Sequence, residues 1–596
     1  MIDYLQQKTK LESEIKALKK LINQYSFARL ILFGIDILLI YLFFNQGITI
    51  LILVVVLSLI GFMFLVKKQV KHQSELKFLS IKKLLVENEI NIKSNKINIY
   101  NNGEGFCNPQ HPYTDDLDIF GAHSLFEYIN RSATNESQNI LANFLKSTST
   151  KTQIEERQIA IEELADKYEE SLNFRTRLFD IDKSEIITIK TFFSDFLPNK
   201  LEFLNSKFIN ILILITPVLS VGVLILSIIF NGLIWNIFGL ILLLSGVCYM
   251  FYKQKIDQIH EQIGKSVNGL EHYAENIKWI ENEEWKSNLL NQLKSSIKKT
   301  ELISQEIFSL SKILNSLNSR LNPIVGLFLN LFFQWDLRTL KRLSKWEAKN
   351  KSEIINAFEV LVNFEALISL ATFSSNHSNW VYPKILNQYH FQSEAIGHPL
   401  INENSRIDND FQLAKNITVD VITGSNMAGK STFLRTVGIN MVLSYAGAKV
   451  CAKNMETSIF SLISYMRIKD SLANQTSTFK AEIDRLKMIL DFTQSHQNSF
   501  VLIDEMLRGT NSKDKYLGSK VFIKKLIAQN TPGFIATHDL QIAELEKEFP
   551  TQLRNFHFDI TIGNQEMFFD YKIKNGECKT FNASILLKAI GIEIED

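Results

Sequence analysis

The chain has 596 residues, which at roughly 100 to 200 residues per domain makes three or four units and excludes a single small binding module. Lys and Arg number 65 against 63 Asp and Glu, a formal charge of +2, with 46% hydrophobic and 21% charged residues; this excludes a disordered chain and a globally basic nucleic-acid coat, so any DNA contact must come from a local patch. Mean hydropathy is +0.01, high for a large soluble protein, and the apolar residues prove to be concentrated in spans.

In chain order, residues 1–29 form a charged, helix-patterned stretch with Leu11, Ile15, Leu18 and Ile22 on one stripe. The stripe predicts a short cytosolic packing helix rather than a coiled-coil dimer, and a cleaved signal peptide does not fit ahead of an apolar run that starts this late. Leu30–Phe44 and Ile48–Val66 are then separated only by Asn45, Gln46 and Gly47. The second of these runs carries no charge and would span about 28 Å as a helix, close to the hydrocarbon thickness of a bilayer. Residues 30–66 are therefore expected to be a transmembrane hairpin, in preference to helices buried in a large α-domain. Asp36 inside the first run costs about 2.5–3.5 kcal/mol on insertion scales, so it is expected to be protonated or partnered.

Residues 67–206 read as the first part of a helical core, and 207–253 as a second transmembrane hairpin, with runs Ile211–Phe230 and Leu233–Tyr252 about the turn pair Asn231 and Gly232. Lys16, Lys19, Lys20 and Arg29 precede the first hairpin and Lys67, Lys68 and Lys71 follow it; Lys207, Lys253 and Lys255 flank the second. This asymmetry puts both turns outside and everything else inside, as in a multi-pass protein of the cytoplasmic (inner) membrane. Residues 254–378 are helical in pattern, with long lever-like helices expected over Ile256–Leu314, and Ile324–Phe333 is too short to span and reads as a buried core helix. From 379 to 596, short apolar strands alternate with helices, the signature of an α/β domain with a parallel sheet. Cys107, Cys248, Cys451 and Cys578 lie far apart with no CxxC, so neither a zinc knuckle nor a disulfide scaffold is indicated.

The sharpest motif is Gly424-Ser425-Asn426-Met427-Ala428-Gly429-Lys430-Ser431-Thr432, placed between the apolar run Val419–Ile422 and the helix-patterned Phe433–Val442. It is a P-loop in its required setting. The glycines let backbone N–H groups wrap phosphates, Lys430 reaches the β and γ oxygens, and Ser431 coordinates Mg²⁺, so ATP and Mg²⁺ are the expected cofactors. A second apolar run, Phe500–Ile503, ends in Asp504 and Glu505, the first placed to hold Mg²⁺ through water and the second to polarise an attacking water. A third, Gly533–Ala536, leads to His538, which is placed to contact the γ-phosphate.

These residues carry a resemblance. The block Ile422–Arg435 resembles the ATPase of the MutS family of mismatch-repair proteins, as do Ser477-Thr478-Phe479 with Glu482, Asp504-Glu505 followed by Arg508-Gly509-Thr510, Ala536-Thr537-His538, and Gly397-His398-Pro399 upstream. Leu117–Phe120, Ser124–Phe126, Asn130-Arg131 and Leu141-Ala142 look like the start of that family's helical core. The resemblance implies an ABC-like ATPase that works as a homodimer, with Ser477 and Thr478 acting in trans on nucleotide held by the partner. It also implies DNA binding and a role related to mismatch repair. Where the family carries a Phe-x-Glu wedge for mismatched bases, this chain has no such tripeptide and a membrane hairpin occupies that end.

Three functions remain open at this stage: a membrane-anchored MutS-like ATPase that handles DNA, a mechanochemical ATPase acting on a membrane partner without DNA, and an ABC-type transporter. Lys294, Lys298 and Lys299, and Arg338, Lys341, Arg342 and Lys345, are local positive clusters that either face solvent or meet nucleic acid.

Overall fold

The computed structural model describes residues 2–43, 48–95, 97–181, 185–230, 232–263, 267–297, 302–425, 428–466, 478–563 and 566–578. Tyr4–Phe43 and Ile48–Asn95 are two helices of 40 and 48 residues packed along one another. Tyr4, Leu11 and Ile22 are buried, so the N-terminal stripe packs on its own chain. It is not a separate short helix but the opening turns of the helix that carries the first apolar run. Asp36 has a partner within this hairpin: its Oδ2 accepts from the Ser58 hydroxyl at 2.6 Å. Lower down, Gln69 Nε2 donates to Ser26 Oγ at 3.0 Å. The second hairpin pairs Lys207–Phe230 with Leu233–Ile263 about Gly232, whose φ of 76° suits a residue without a side chain.

Among the described residues, five helices are long and apolar enough to cross a membrane by length and composition. In the four hairpin helices at most 17% of the apolar stretch is buried, whereas in the fifth, Trp335–Asn376, 78% is buried. The fifth therefore belongs to the protein core. It is also the long helix of that core, 42 residues and about 63 Å. Ile256–Leu314, expected to hold the levers, is instead broken into the end of the second hairpin and the helices Val267–Asn282, Asn288–Ser296 and Ile303–Leu317. Ser287 caps the middle one by accepting from Leu290 N–H, and Trp285 turns back to donate to the Ile280 carbonyl. Ile324–Phe333 is a second correction: the helix Pro323–Phe333 is exposed on most of its surface and buries only Gly326 and Asn330.

The most deeply buried polar tie between the first hairpin and the core is a carboxylate. Glu89, near the end of the helix Ile48–Asn95, is fully buried; Arg131 grips it through Nε and Nη2 at 3.1 and 2.8 Å, and Arg175 Nη2 and Asn376 Nδ2 reach it at 2.8 and 2.9 Å. Burial pushes its pKa up, but the two guanidinium groups outweigh this and hold it at about 2. Nearby, Glu365 on the long helix accepts from Ala133 N–H at 2.6 Å and from the Thr134 hydroxyl, and burial raises its pKa to about 7.

Among its described residues the C-terminal part carries ten strands: β1 Lys384–Leu386, β2 Phe391–Ile396, β3 Asn409–Gln412, β4 Val419–Thr423, β5 Asn454–Ser458, β6 Ser461–Tyr465, β7 Ser499–Asp504, β8 Gly533–Thr537, β9 Leu553–Gly563 and β10 Glu566–Asn575. They form a four-stranded sheet in the order β1-β5-β2-β3 and a six-stranded sheet in the order β10-β9-β4-β8-β7-β6. The larger sheet is parallel except for β10. In β7, Phe500 and Leu502 face the cluster shared with the helical core, and Val501 and Ile503 face a second cluster with the helices Thr478–Ser495 and Ser512–Ala528. Covered on both faces, such strands read as unbroken apolar runs.

Candidate nucleotide site

Strand β4 lies between β8 and β9 in the sheet, and its C-terminal end delivers the chain into the P-loop. Two glycines make that turn. Gly424 has φ 141° and passes so close to β9 that a side chain there would meet the Phe558 carbonyl oxygen at 2.9 Å; Gly429, φ 106°, precedes the helix Lys430–Tyr445. Lys430 is buried and its Nζ donates to the carbonyls of Gly424 and Ser425, both at 2.7 Å, so the ammonium lies across the loop. Burial lowers its pKa, while Glu505 and Asp504 oppose the shift. Ala428 is buried, Ser431 half-buried and Thr432 exposed on the first turn. Asn426 and Met427 lie outside the described residues.

Strands β7 and β8 are neighbours, which brings Glu505 and His538 together from positions 33 apart in sequence. Glu505 leaves β7 with φ 56°, a left-handed conformation that a non-glycine residue adopts at a cost and that is met most often at functional sites. Its N–H donates to the Ala536 carbonyl at 3.0 Å, Oε1 meets His538 Nε2, and Oε2 meets Arg508 Nε at 3.1 Å. Burial raises the Glu505 pKa, yet His538, Arg508 and Lys430 outweigh it and keep the carboxyl below the usual carboxylate range. Asp504 is buried, and its Oδ1 has no hydrogen-bond partner among the described residues. A buried, unpaired carboxylate oxygen beside a P-loop fits a Mg²⁺ ion, which Ser431 and Asp504 would hold. A cavity of about 260 Å³ opens beside these groups, lined by Tyr465, Met466, Glu482, Asp504, Glu505 and Arg508 among others.

The helix that starts at Thr478 abuts this cavity: Glu482 is buried and Phe479 lies against Gly509, where an added side chain would stand 3.3 Å from the Phe479 nitrogen. Ser477 lies outside the described residues, as does the segment 467–476. His398 sits away from the phosphate loop in a buried turn, where burial, Arg435 and Arg406 lower its pKa to about 4. Its neighbour Gly397 accepts from Asn440 Nδ2 at 3.0 Å, tying the turn to the P-loop helix.

Two contributions escape sequence reasoning. Tyr571 on β10 is exposed, and its ring stands 3.1 Å from where a Cβ on Gly429 would be, an open aromatic face next to the phosphate loop. Nothing in local spacing marks it, because β10 reaches the site by pairing at the sheet edge. The basic clusters are the second case. Arg338 Nη2 donates to the Ile213 carbonyl at 2.9 Å, Lys341 Nζ to the Leu204 carbonyl at 3.0 Å and Lys294 Nζ to the Glu283 carbonyl at 2.7 Å, so three of these cations bind backbone of their own chain. Arg342 and Lys345 are exposed, while Lys298 and Lys299 lie outside the described residues.

Residues 420–589 match the family described as MutS domain V, so the C-terminal domain is an ABC-like ATPase domain. The chain is similar to the DNA mismatch repair protein MutS of Thermotoga maritima, 30% identical over 231 residues that make up 38% of this chain and 28% of the relative. It is 32% identical to the protein of the same name from Persephonella marina over 36% of this chain and 24% of the relative, and 31% identical to that of Aquifex pyrophilus over 34% and 24%. The chain thus spans less than a third of the length of these relatives.

Proposed function

We propose that the chain is a membrane-anchored MutS-like ATPase that binds and hydrolyses ATP at composite sites of a homodimer and passes the nucleotide cycle to helices rooted in a bilayer. The observation that carries this is the path of the long helix Trp335–Asn376. At its start, Arg338 and Lys341 hold backbone carbonyls of the second hairpin and its entrance; at its end, Asn376 shares Glu89 with the first hairpin. Four exposed apolar helices give the protein its membrane anchor, with the ATPase domain on the cytoplasmic side.

In the ATPase cycle, the loop Gly424–Thr432 holds the phosphates and Lys430 neutralises their β and γ oxygens. Ser431 and Asp504 would hold Mg²⁺, which would supply charge neutralisation at the phosphates. Glu505, kept ionised by its cationic neighbours, orders and polarises the attacking water, and His538 bridges that carboxylate to the γ-phosphate. Ser477 and Thr478 complete the partner's site, and the Tyr571 ring stacks on the nucleobase.

DNA binding and a mismatch-repair-related role are supported by the names of the relatives and by exposed Arg342 and Lys345. The alternative, mechanical work on a membrane partner without DNA, is supported by the occupation of Arg338 and Lys341. ATP turnover in nanodiscs with and without duplex DNA, repeated across salt, separates them. Stimulation by DNA that falls steeply with salt supports the first, and indifference to DNA supports the second. An ABC-type transporter predicts neither, but vectorial uptake into sealed proteoliposomes.

A further inference from the structure

The helix Pro323–Phe333 is built inside out. Gly326 and Asn330, one turn apart, face the protein, while Leu321 just before the helix and Ile324, Val325, Leu327 and Phe328 on it are 68, 82, 43, 52 and 52% exposed. A soluble protein places such side chains the other way round, because apolar surface left in water forfeits the main driving force of folding.

The buried face is polar, and its Asn330 side chain and the turn backbone are engaged, while Gln334 Oε1 has no hydrogen-bond partner among the described residues. Asn330 Nδ2 donates to the Gly326 carbonyl at 2.9 Å, and its Oδ1 accepts the Asp336 N–H at 3.0 Å. Gln334, where the chain breaks into the left-handed conformation with φ 47°, is completely buried; its N–H reaches the Asn330 carbonyl at 3.1 Å and its Nε2 the Ser245 carbonyl at 3.0 Å. The helix is seated on the second hairpin. Ser220 Oγ donates to the Phe332 carbonyl at 2.8 Å, the Phe332 ring lies 5.9 Å from that of Phe238, and Leu331 is 3.2 Å from where a Cβ on Gly246 would stand. Ser220, Phe238 and Gly246 all lie within the apolar runs of that hairpin, whose own exposed residues continue the surface, Val218 at 73% and Leu244 at 56%. A non-helical turn at membrane depth is tolerated where its backbone is satisfied inside the protein, as it is here.

We infer that Pro323–Phe333 is a re-entrant membrane helix, its outer face solvated by lipid acyl chains, so that the long helix Trp335–Asn376 starts from a foot inside the bilayer. This rests on the membrane reading of the hairpins. At about 16 Å the helix is too short to cross a hydrocarbon core of about 30 Å, and it enters and returns through the turn at Gln334.

The test is spin-label accessibility in the full chain, reconstituted in proteoliposomes after alanine replacement of its four cysteines and retention of ATP turnover. Single cysteines replace Ile324 and Phe328 in the helix, Leu244 as the hairpin reference and Gln497, exposed on the ATPase domain, as the aqueous reference. The expected result is that labels at Ile324→Cys and Phe328→Cys collide with oxygen and are shielded from a water-soluble nickel chelate to the same degree as Leu244→Cys. A lipid-like Leu244→Cys with nickel-accessible helix labels overturns the inference and leaves the hairpins in the membrane. Helix labels shielded from both quenchers also overturn it, in favour of a second copy or another protein covering this face. An aqueous Leu244→Cys overturns the membrane reading itself, and this inference with it.

Discussion

Arg435 and Asp118 lie 317 positions apart and form an ion pair of 2.6 Å that joins the P-loop helix to the helical core. One turn further along, a Cβ on Gly438 would stand 2.9 Å from both methyl groups of Leu117. The helix that begins at the phosphate loop is therefore pressed directly on the first segment of the core. Asp116 reinforces the junction through Ser464 at 2.7 Å and Arg485 at 3.4 Å. Movement of the loop on nucleotide exchange has a short path to the core and to the hairpins that pack on it.

The ion pair itself is partly solvated, with side-chain exposures of 17 and 38%, so its thermodynamic weight is small. A double-mutant cycle of Arg435→Ala and Asp118→Ala, read by thermal melting in detergent, should return a coupling of about 0.5–1 kcal/mol. A coupling of about 3 kcal/mol or more would mean a desolvated pair and contradict the geometry.

Gly438→Ala is expected to cost more. The added methyl meets Leu117 and Leu502 at 2.8–2.9 Å, and both are buried, so one of them must leave its place. Overpacking of this kind costs about 1–3 kcal/mol, measurable as a lowered melting temperature. An unchanged melting temperature would show that the P-loop helix does not press on the core.

Turnover should separate the roles of the site residues. Glu505→Gln is expected to lower kcat by about 10²- to 10⁴-fold while nucleotide still binds, leaving a trapped dimer visible by size exclusion. Lys430→Ala is expected to lose nucleotide binding, and Asp504→Ala to lose the Mg²⁺ dependence of whatever turnover remains. Because its pKa is held low, Glu505 is ionised at neutral pH and its contribution falls away only as pH drops through that depressed value. The acid limb of the rate profile should therefore lie below the ordinary carboxylate range.

Stability should depend on pH through two buried carboxyls of opposite behaviour. Glu365 is raised from 4.5 to about 7, so its contribution is fully present below its unfolded value and is lost as pH rises through 7, by about 3 kcal/mol at pH 8. Glu365→Gln should flatten that loss. Glu89, depressed to about 2, contributes fully above its unfolded value and loses that contribution only as pH falls toward 2, so it adds no slope between pH 6 and 8. Glu89→Gln leaves two buried guanidinium groups without their counter-charge and should cost about 3–5 kcal/mol at all neutral pH values. Thermal melts of the two variants and the unmodified protein from pH 2 to 8 check both signs.

The P-loop, the carboxylates after β7 and the histidine after β8 were legible in the linear chain because each is a contiguous strand-to-turn unit whose chemistry is local. The long apolar helices were legible for a similar reason, since a run of apolar residues records its own length. Glu89, Arg131 and Arg175 carry no such mark: a carboxylate among many on a helical pattern becomes a buried anchor only when two distant cations fold around it.

The sequence by itself determined that this protein holds a P-loop motif, a pair of carboxylates at the end of an apolar strand and four apolar runs of 15 to 20 residues, because backbone conformation and transfer energy depend on neighbours in the chain. Only the tertiary structure decided which way apolar faces point. Pro323–Phe333 and an 18-residue stretch of Trp335–Asn376 are both apolar, yet the first turns its apolar side outward and the second is 78% buried, and that choice depends on what packs against each helix.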